Sequence, residues 1–161
     1  MSGRDKGETL VELLVTIAIL GTAVVGVMGA VATAVGASTL DRRQVQAEAV
    51  LRTWGENVAA VDDAGYGDCR SAAAVAATTP APAPLPAGFT ASVTAVKYWT
   101  GTQFLPADQL YWNGTAWVPA CSPGADPGLR LVSLRLAAND LLYPGFTQNL
   151  DVVVRKPCAA C

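Results

Sequence analysis

Residues 6–14 read KGETLVELL and run without a break into LLVTIAILGTAVVGVMGAVATAVGA, residues 13–37. From Leu13 to Leu40 there is no charged side chain. A helix of roughly 20 apolar residues spans a bilayer core, and this run is longer than that. The short opening MSGRDKG carries Arg4 and Lys6 ahead of it. Positive charge before an apolar helix favours leaving that end in the cytoplasm. The remainder, from Asp41 onward, is then expected on the other side of the membrane. A secretory signal peptide has a shorter apolar core with its small-residue cleavage site after it.

The junction contains a carboxylate, Glu12, set among Leu10, Val11, Leu13 and Leu14. A charge at the bilayer centre costs roughly 2.5–3.5 kcal/mol, less near the edge. Glu12 therefore either sits at the interface, or needs a positive partner in an apolar setting.

Gly7-Glu8-Thr9-Leu10-Val11-Glu12, followed by Leu13-Leu14-Val15 and the long apolar helix, resembles the prepilin motif. This is the processing signal of type IV pilins and type II secretion pseudopilins. The resemblance implies cleavage by prepilin peptidase after Gly7, with Glu8 as the new N-terminus and methylation site. It implies that Glu12 pairs with the terminal amine of a neighbouring subunit. Two buried charges are tolerable when each satisfies the other. The first mature residue of that family is usually phenylalanine or another apolar residue, and here it is Glu8. The family's helix-kinking proline is missing, and Gly21, Gly26, Gly29 and Gly36 are spread through the same region. Glycine weakens a helix by about 1 kcal/mol relative to alanine, so Gly26 to Gly29 is expected to be a soft spot in a filament.

Beyond Gly36 no turn signal interrupts the helix. Ala47, Leu51, Trp54, Val58 and Val61 recur at spacings of four and three, one face of a helix. Glu48 and Arg52 stand four apart. A stop is expected near Asp62-Asp63-Ala64-Gly65. Next, SAAAVAATTPAPAPLPAG (71–88) alternates four prolines, which favour an extended loop. Its opening SAAAVAA is open to reading as a short helical turn.

From Phe89 the pattern turns to strand. FTASVTAVKYW alternates and is rich in Thr, Val and aromatics. Leu110-Tyr111-Trp112, Asn113-Gly114 and Thr115-Ala116-Trp117-Val118 read as a hairpin with a tight two-residue turn. LRLVSLRL (129–136) and LDVVVR (150–155) read as two more strands. The expected fold is α+β, a long N-terminal helix on an antiparallel sheet of four or five strands. Its organisation would be a cytoplasmic leader (1–7), a transmembrane and filament-core helix (8–40) and an exported domain (41–161). That domain would hold the second half of the helix, the loop 71–88 and a sheet over 89–156. YWNGTAWVPAC followed by GLRLVSLRL also resembles pilin-like proteins of high-GC Gram-positive bacteria.

The four cysteines, Cys69, Cys121, Cys158 and Cys161, all follow the apolar run. An extracytoplasmic location makes them disulfide candidates, with three complete pairings. Cys69–Cys121 and Cys158–Cys161 are favoured. A redox dithiol, half a metal site and a mixed pairing such as Cys121–Cys158 are the alternatives for the tail. Tyr98, Trp99, Tyr111, Trp112 and Trp117 gather around the hairpin, and about half should face the core. Tyr111, Trp112 and Trp117 are the candidate surface for DNA or a glycan, since exposed aromatics stack on sugars and bases.

The 161 residues contain no histidine, and net charge is −2. No Ser-His-Asp triad or histidine-ligated metal can form from them, and a broad nucleic-acid surface would show clustered Lys and Arg. No catalytic residue, metal or cofactor is expected. The leading expectation is a structural subunit, a minor pilin or pseudopilin. It would first be a single-pass protein in membrane lipid and then part of an extracellular filament. Its partners would be prepilin peptidase, other pilin subunits and the inner assembly machinery. The alternative is a signal-anchored extracytoplasmic binding protein that does not polymerise.

Overall fold

The computed structural model describes residues 5–61, 63–140 and 143–157. Helix α1 runs Asp5–Ala59. The chain divides by compactness into Met1–Arg43 and Gln44–Cys161. In the first unit every residue from Leu10 to Val35 is exposed. This helix is long and apolar enough to cross a membrane, with a mean hydropathy of 2.4 over its most apolar window. Its threonines would be a liability in lipid, because a hydroxyl there needs a partner. Thr16, Thr22, Thr33 and Thr39 are turned back onto the preceding turn: Thr16 Oγ1 donates to the Glu12 carbonyl at 2.7 Å, and Thr33 Oγ1 to that of Gly29 at 2.9 Å. The glycines at 21, 26, 29 and 36 have no neighbouring atom where a Cβ would stand, leaving their faces open to approach by another helix.

In the second unit the stripe Ala47, Leu51, Trp54 and Val58 is buried against a sheet. The helix stops at Ala59, slightly before the expected Val61. On its outer face Arg52 pairs with Glu56 at 3.2 Å rather than with Glu48. Short helices α2 (Asp63–Tyr66) and α3 (Ala72–Thr78) follow. Ser71 caps α3, its hydroxyl accepting from the Ala74 amide, so the alanine run is helical, and the proline-rich part that follows is irregular, with a bend and a cis peptide at Ala83–Pro84 rather than one extended stretch.

The main sheet holds β1 (Phe89–Trp99), β2 (Phe104–Pro106), β5 (Leu129–Asp140) and β6 (Tyr143–Arg155), all antiparallel, in the order β2-β1-β5-β6. On β5 the even positions Arg130, Val132, Leu134, Leu136 and Ala138 are all buried. On β1 the register shifts between Val93 and Ala95. This bulge changes which residues face the core: Phe89, Ala91 and Val93 oppose Ala138, Leu136 and Leu134, whereas Val96 and Tyr98 oppose Val132 and Arg130. β2 went unrecognised in the sequence because it is three residues long and ends in Pro106. β6 begins well before Leu150. Pro144 and Gly145 lie inside it: an edge strand tolerates proline, and the register shifts on β5 between Ala138 and Asn139, opposite this stretch.

The hairpin of β3 (Leu110–Trp112) and β4 (Trp117–Pro119) is a separate two-stranded sheet, not part of the main one. Its turn also departs from expectation. Trp112 pairs with Trp117, so four residues form the loop. Among the described residues Cys69 is the only non-glycine with positive φ, so Asn113 does not adopt the backbone of a two-residue turn. Instead its Oδ1 accepts from the amides of Thr115 and Ala116, both at 2.9 Å. Only Gly114, at φ 96°, is left-handed. The asparagine side chain closes the loop where its backbone was expected to.

Candidate functional site

The N-terminal segment is a continuous helix from Asp5, which places Gly7, Glu8 and Glu12 on it. Glu12 is exposed among exposed Leu10, Val11, Leu13 and Leu14. The helix therefore offers one carboxylate on an apolar surface that no part of its own unit covers. A partner for this surface must come from lipid or from other helices.

A second constellation locks the loop after α1 to the sheet. Cys69 and Cys121 are joined as a disulfide, with Cα atoms 5.6 Å apart. Asp126 lies beside it. One oxygen accepts from the Cys69 amide at 3.0 Å; the other accepts from Tyr66 Oη at 3.1 Å and the Gly128 amide at 2.7 Å. These bonds hold Cys69 at φ 50°, a conformation that L-residues rarely adopt. The two sulfurs and the Asp126 carboxylate lie within 4.8 Å of one another. As bonded to each other, the sulfurs provide no thiolate for a metal.

Arg130, buried on β5, reaches under this loop. Its Nη1 donates to the Tyr66 carbonyl at 2.6 Å and the Gly67 carbonyl at 3.3 Å, and its guanidinium lies 4.0 Å from the Tyr66 ring centroid. Tyr98 Oη donates to the Arg70 carbonyl at 2.9 Å. Burial, reinforced by the Asp126 charge, pushes the Tyr66 phenol well above its ordinary range. Burial also raises Tyr98, with Arg130 opposing it. Both phenols are neutral donors at physiological pH, which suits a structural clamp. Lys156 adds a 2.7 Å ion pair to Asp68. Arg130 was not legible as an anchor, because LRLVSLRL is apolar at positions on both faces. Asp126 was legible only as a turn residue.

Of the candidate ligand surface, Tyr111 is half-buried and packs beside Tyr98, Leu105, Ala120 and Cys121. Trp112 and Trp117 are exposed, with ring centroids 6.0 Å apart and planes at 61°. Cys158 and Cys161 lie outside the described residues.

Residues 2–28 match the family described as the prokaryotic N-terminal methylation motif. The chain thus carries a prepilin-type N-terminus, and the match supports a type IV pilin-like family. This motif implies processing by prepilin peptidase and association with other pilin subunits, and points to a structural protein rather than an enzyme. The apolar helix that follows it fits a membrane-anchored pilin. No curated protein and no solved structure matches the chain.

Proposed function

We propose that this chain is the precursor of a minor pilin or pseudopilin, a subunit of a type IV pilus-like or type II secretion-like filament. The observation that carries the reading is the exposed apolar helix surface from Leu10 to Val35, directly behind the matched motif and interrupted near its start by Glu12. In this reading residues 1–7 are a cytoplasmic leader removed after Gly7, and Glu8 becomes the mature, methylated N-terminus. Residues 8–40 hold the subunit in the membrane and then in the filament core. Residues 41–161 are exported and end on the filament surface. Glu12 pairs with the terminal amine of a neighbouring subunit, each charge offsetting the other's desolvation. The disulfide favours the same topology, since it needs an oxidising compartment.

The fate of Gly7 tests the reading: processed subunits lack residues 1–7, and a Gly7→Val variant keeps them. One observation favours a second reading, a signal-anchored binding protein that does not polymerise. The tryptophan pair of the hairpin packs edge to face on itself and leaves more than half of each side chain exposed. That reading predicts function independent of Gly7 and Glu12.

A further inference from the structure

The β3–β4 ribbon has two unlike faces. Tyr111 and Val118 pair with each other and are half-buried. On the other face Leu110 opposes Pro119 and Trp112 opposes Trp117, and all four are exposed. Trp112 is 54% and Trp117 67% exposed. A hydrophobic face of this kind on a ribbon of two short strands needs an explanation, because such a hairpin is marginally stable alone.

The ribbon is held from its base. The Ala120 amide donates to the Gln109 carbonyl at 3.0 Å and the Cys121 amide to the Ala107 carbonyl at 3.1 Å. The next covalent link is the disulfide to Cys69. At the other end the Asn113 side chain closes the loop. Both tryptophans thus stand on a preorganised support, which lowers the entropy cost of binding.

Charge and area narrow the occupant. No Lys or Arg occurs between Lys97 and Arg130; Asp108 and Asp126 are the charges in that interval. A nucleic acid would meet no counter-charge for its phosphates along the ribbon, nor would an anionic lipid headgroup. The four exposed side chains of this face, Leu110, Trp112, Trp117 and Pro119, together offer on the order of 450 Å². A specific protein interface buries about 800 Å² on each partner, so a second copy of this chain is poorly matched. A sugar ring needs less: an aromatic face for its C–H surface and polar groups at the rim for its hydroxyls. Asn113 and Thr115 in the loop, and Asp108 and Gln109 at the base of the ribbon, are exposed polar residues that flank the two strands in the chain.

We propose that Trp112 and Trp117 form a stacking site for a neutral polysaccharide. The inference holds whether or not the chain polymerises, so its failure would leave the filament reading intact. The test is calorimetric titration of the full-length protein in a sugar-free zwitterionic detergent. The probes are cellohexaose, maltohexaose and chitohexaose, with single-stranded DNA and phosphatidylcholine vesicles as comparisons. Saturable heat is expected with at least one hexasaccharide. Trp112→Ala and Trp117→Ala should each weaken it about tenfold or more, on the scale of one lost stacking contact. Trp112→Tyr keeps an aromatic face and should stay within about threefold of the parent. No heat with any hexasaccharide, equal heat in both alanine variants, or a response only to DNA or vesicles would overturn the proposal.

Discussion

The indole Nε1 of Trp54 donates to the Thr79 carbonyl, 2.8 Å away and buried. Thr79 ends α3, and its own amide and hydroxyl both donate to the Val75 carbonyl at 2.9 Å. One side chain on the helix thereby fixes the point where the alanine helix gives way to the proline-rich loop. Trp54→Phe would leave that carbonyl unsatisfied and open space in the core. The expected loss is about 3 kcal/mol, read as a lowered urea midpoint. Trp117→Phe, on the exposed ribbon, should change stability by about 0.5 kcal/mol or less. Equal effects would contradict the clamp.

The Cys69–Cys121 disulfide closes a span of 52 residues. In the chain-entropy account such a loop contributes about 4 kcal/mol. Replacing both cysteines by serine should lose stability of that order. It should also raise amide exchange at Ala120 and Cys121, whose hydrogen bonds brace the ribbon. Unchanged protection at those amides would show that the ribbon stands without the staple.

Tyr66 gives the domain an alkaline limit. Its folded-state pKa is raised by burial, with Asp126 adding to the shift. Above about pH 10 the unfolded chain releases a proton that the folded state retains. Stability is therefore full below about pH 10 and falls as pH rises toward the folded value. Tyr66→Phe should lower stability at pH 7, because Asp126 loses a donor, and flatten the fall between pH 10 and 11.5. An unchanged alkaline slope would remove Tyr66 from the account.

The lock around Tyr66, Asp126 and Arg130 was the part least visible in the sequence. The stripe Ala47, Leu51, Trp54 and Val58 was legible because helical periodicity is local, and the structure buries it. Strands 89–99 and 129–136 were legible by composition. Which face of β1 meets the core was not, because the bulge after Val93 moves the inward set from odd to even positions. Arg130 was hidden for a related reason: its burial depends on carbonyls of Tyr66 and Gly67, more than sixty residues away in the chain. The hairpin at Asn113-Gly114 was found, but its loop length and its separation from the main sheet depend on side-chain and tertiary bonds.

Glu12 separates membrane insertion from assembly. Glu12→Ala keeps the apolar run and the residues around Gly7, so insertion and processing should persist. A terminal amine left unpaired in an apolar core costs about 3 kcal/mol or more. Filament yield from cells should then fall roughly a hundredfold, measured by shearing and quantifying sedimented subunit. Normal yield would contradict the proposed pairing.

The most direct test of the central claim is the intact mass and N-terminal sequence of the protein recovered from cells that have the peptidase. The expected result is a chain beginning at Glu8, carrying one added methyl group, and a Gly7→Val variant that retains residues 1–7. A parent protein that keeps its full N-terminus in those cells would contradict it, and would leave a plain anchored protein whose business lies with the tryptophan ribbon.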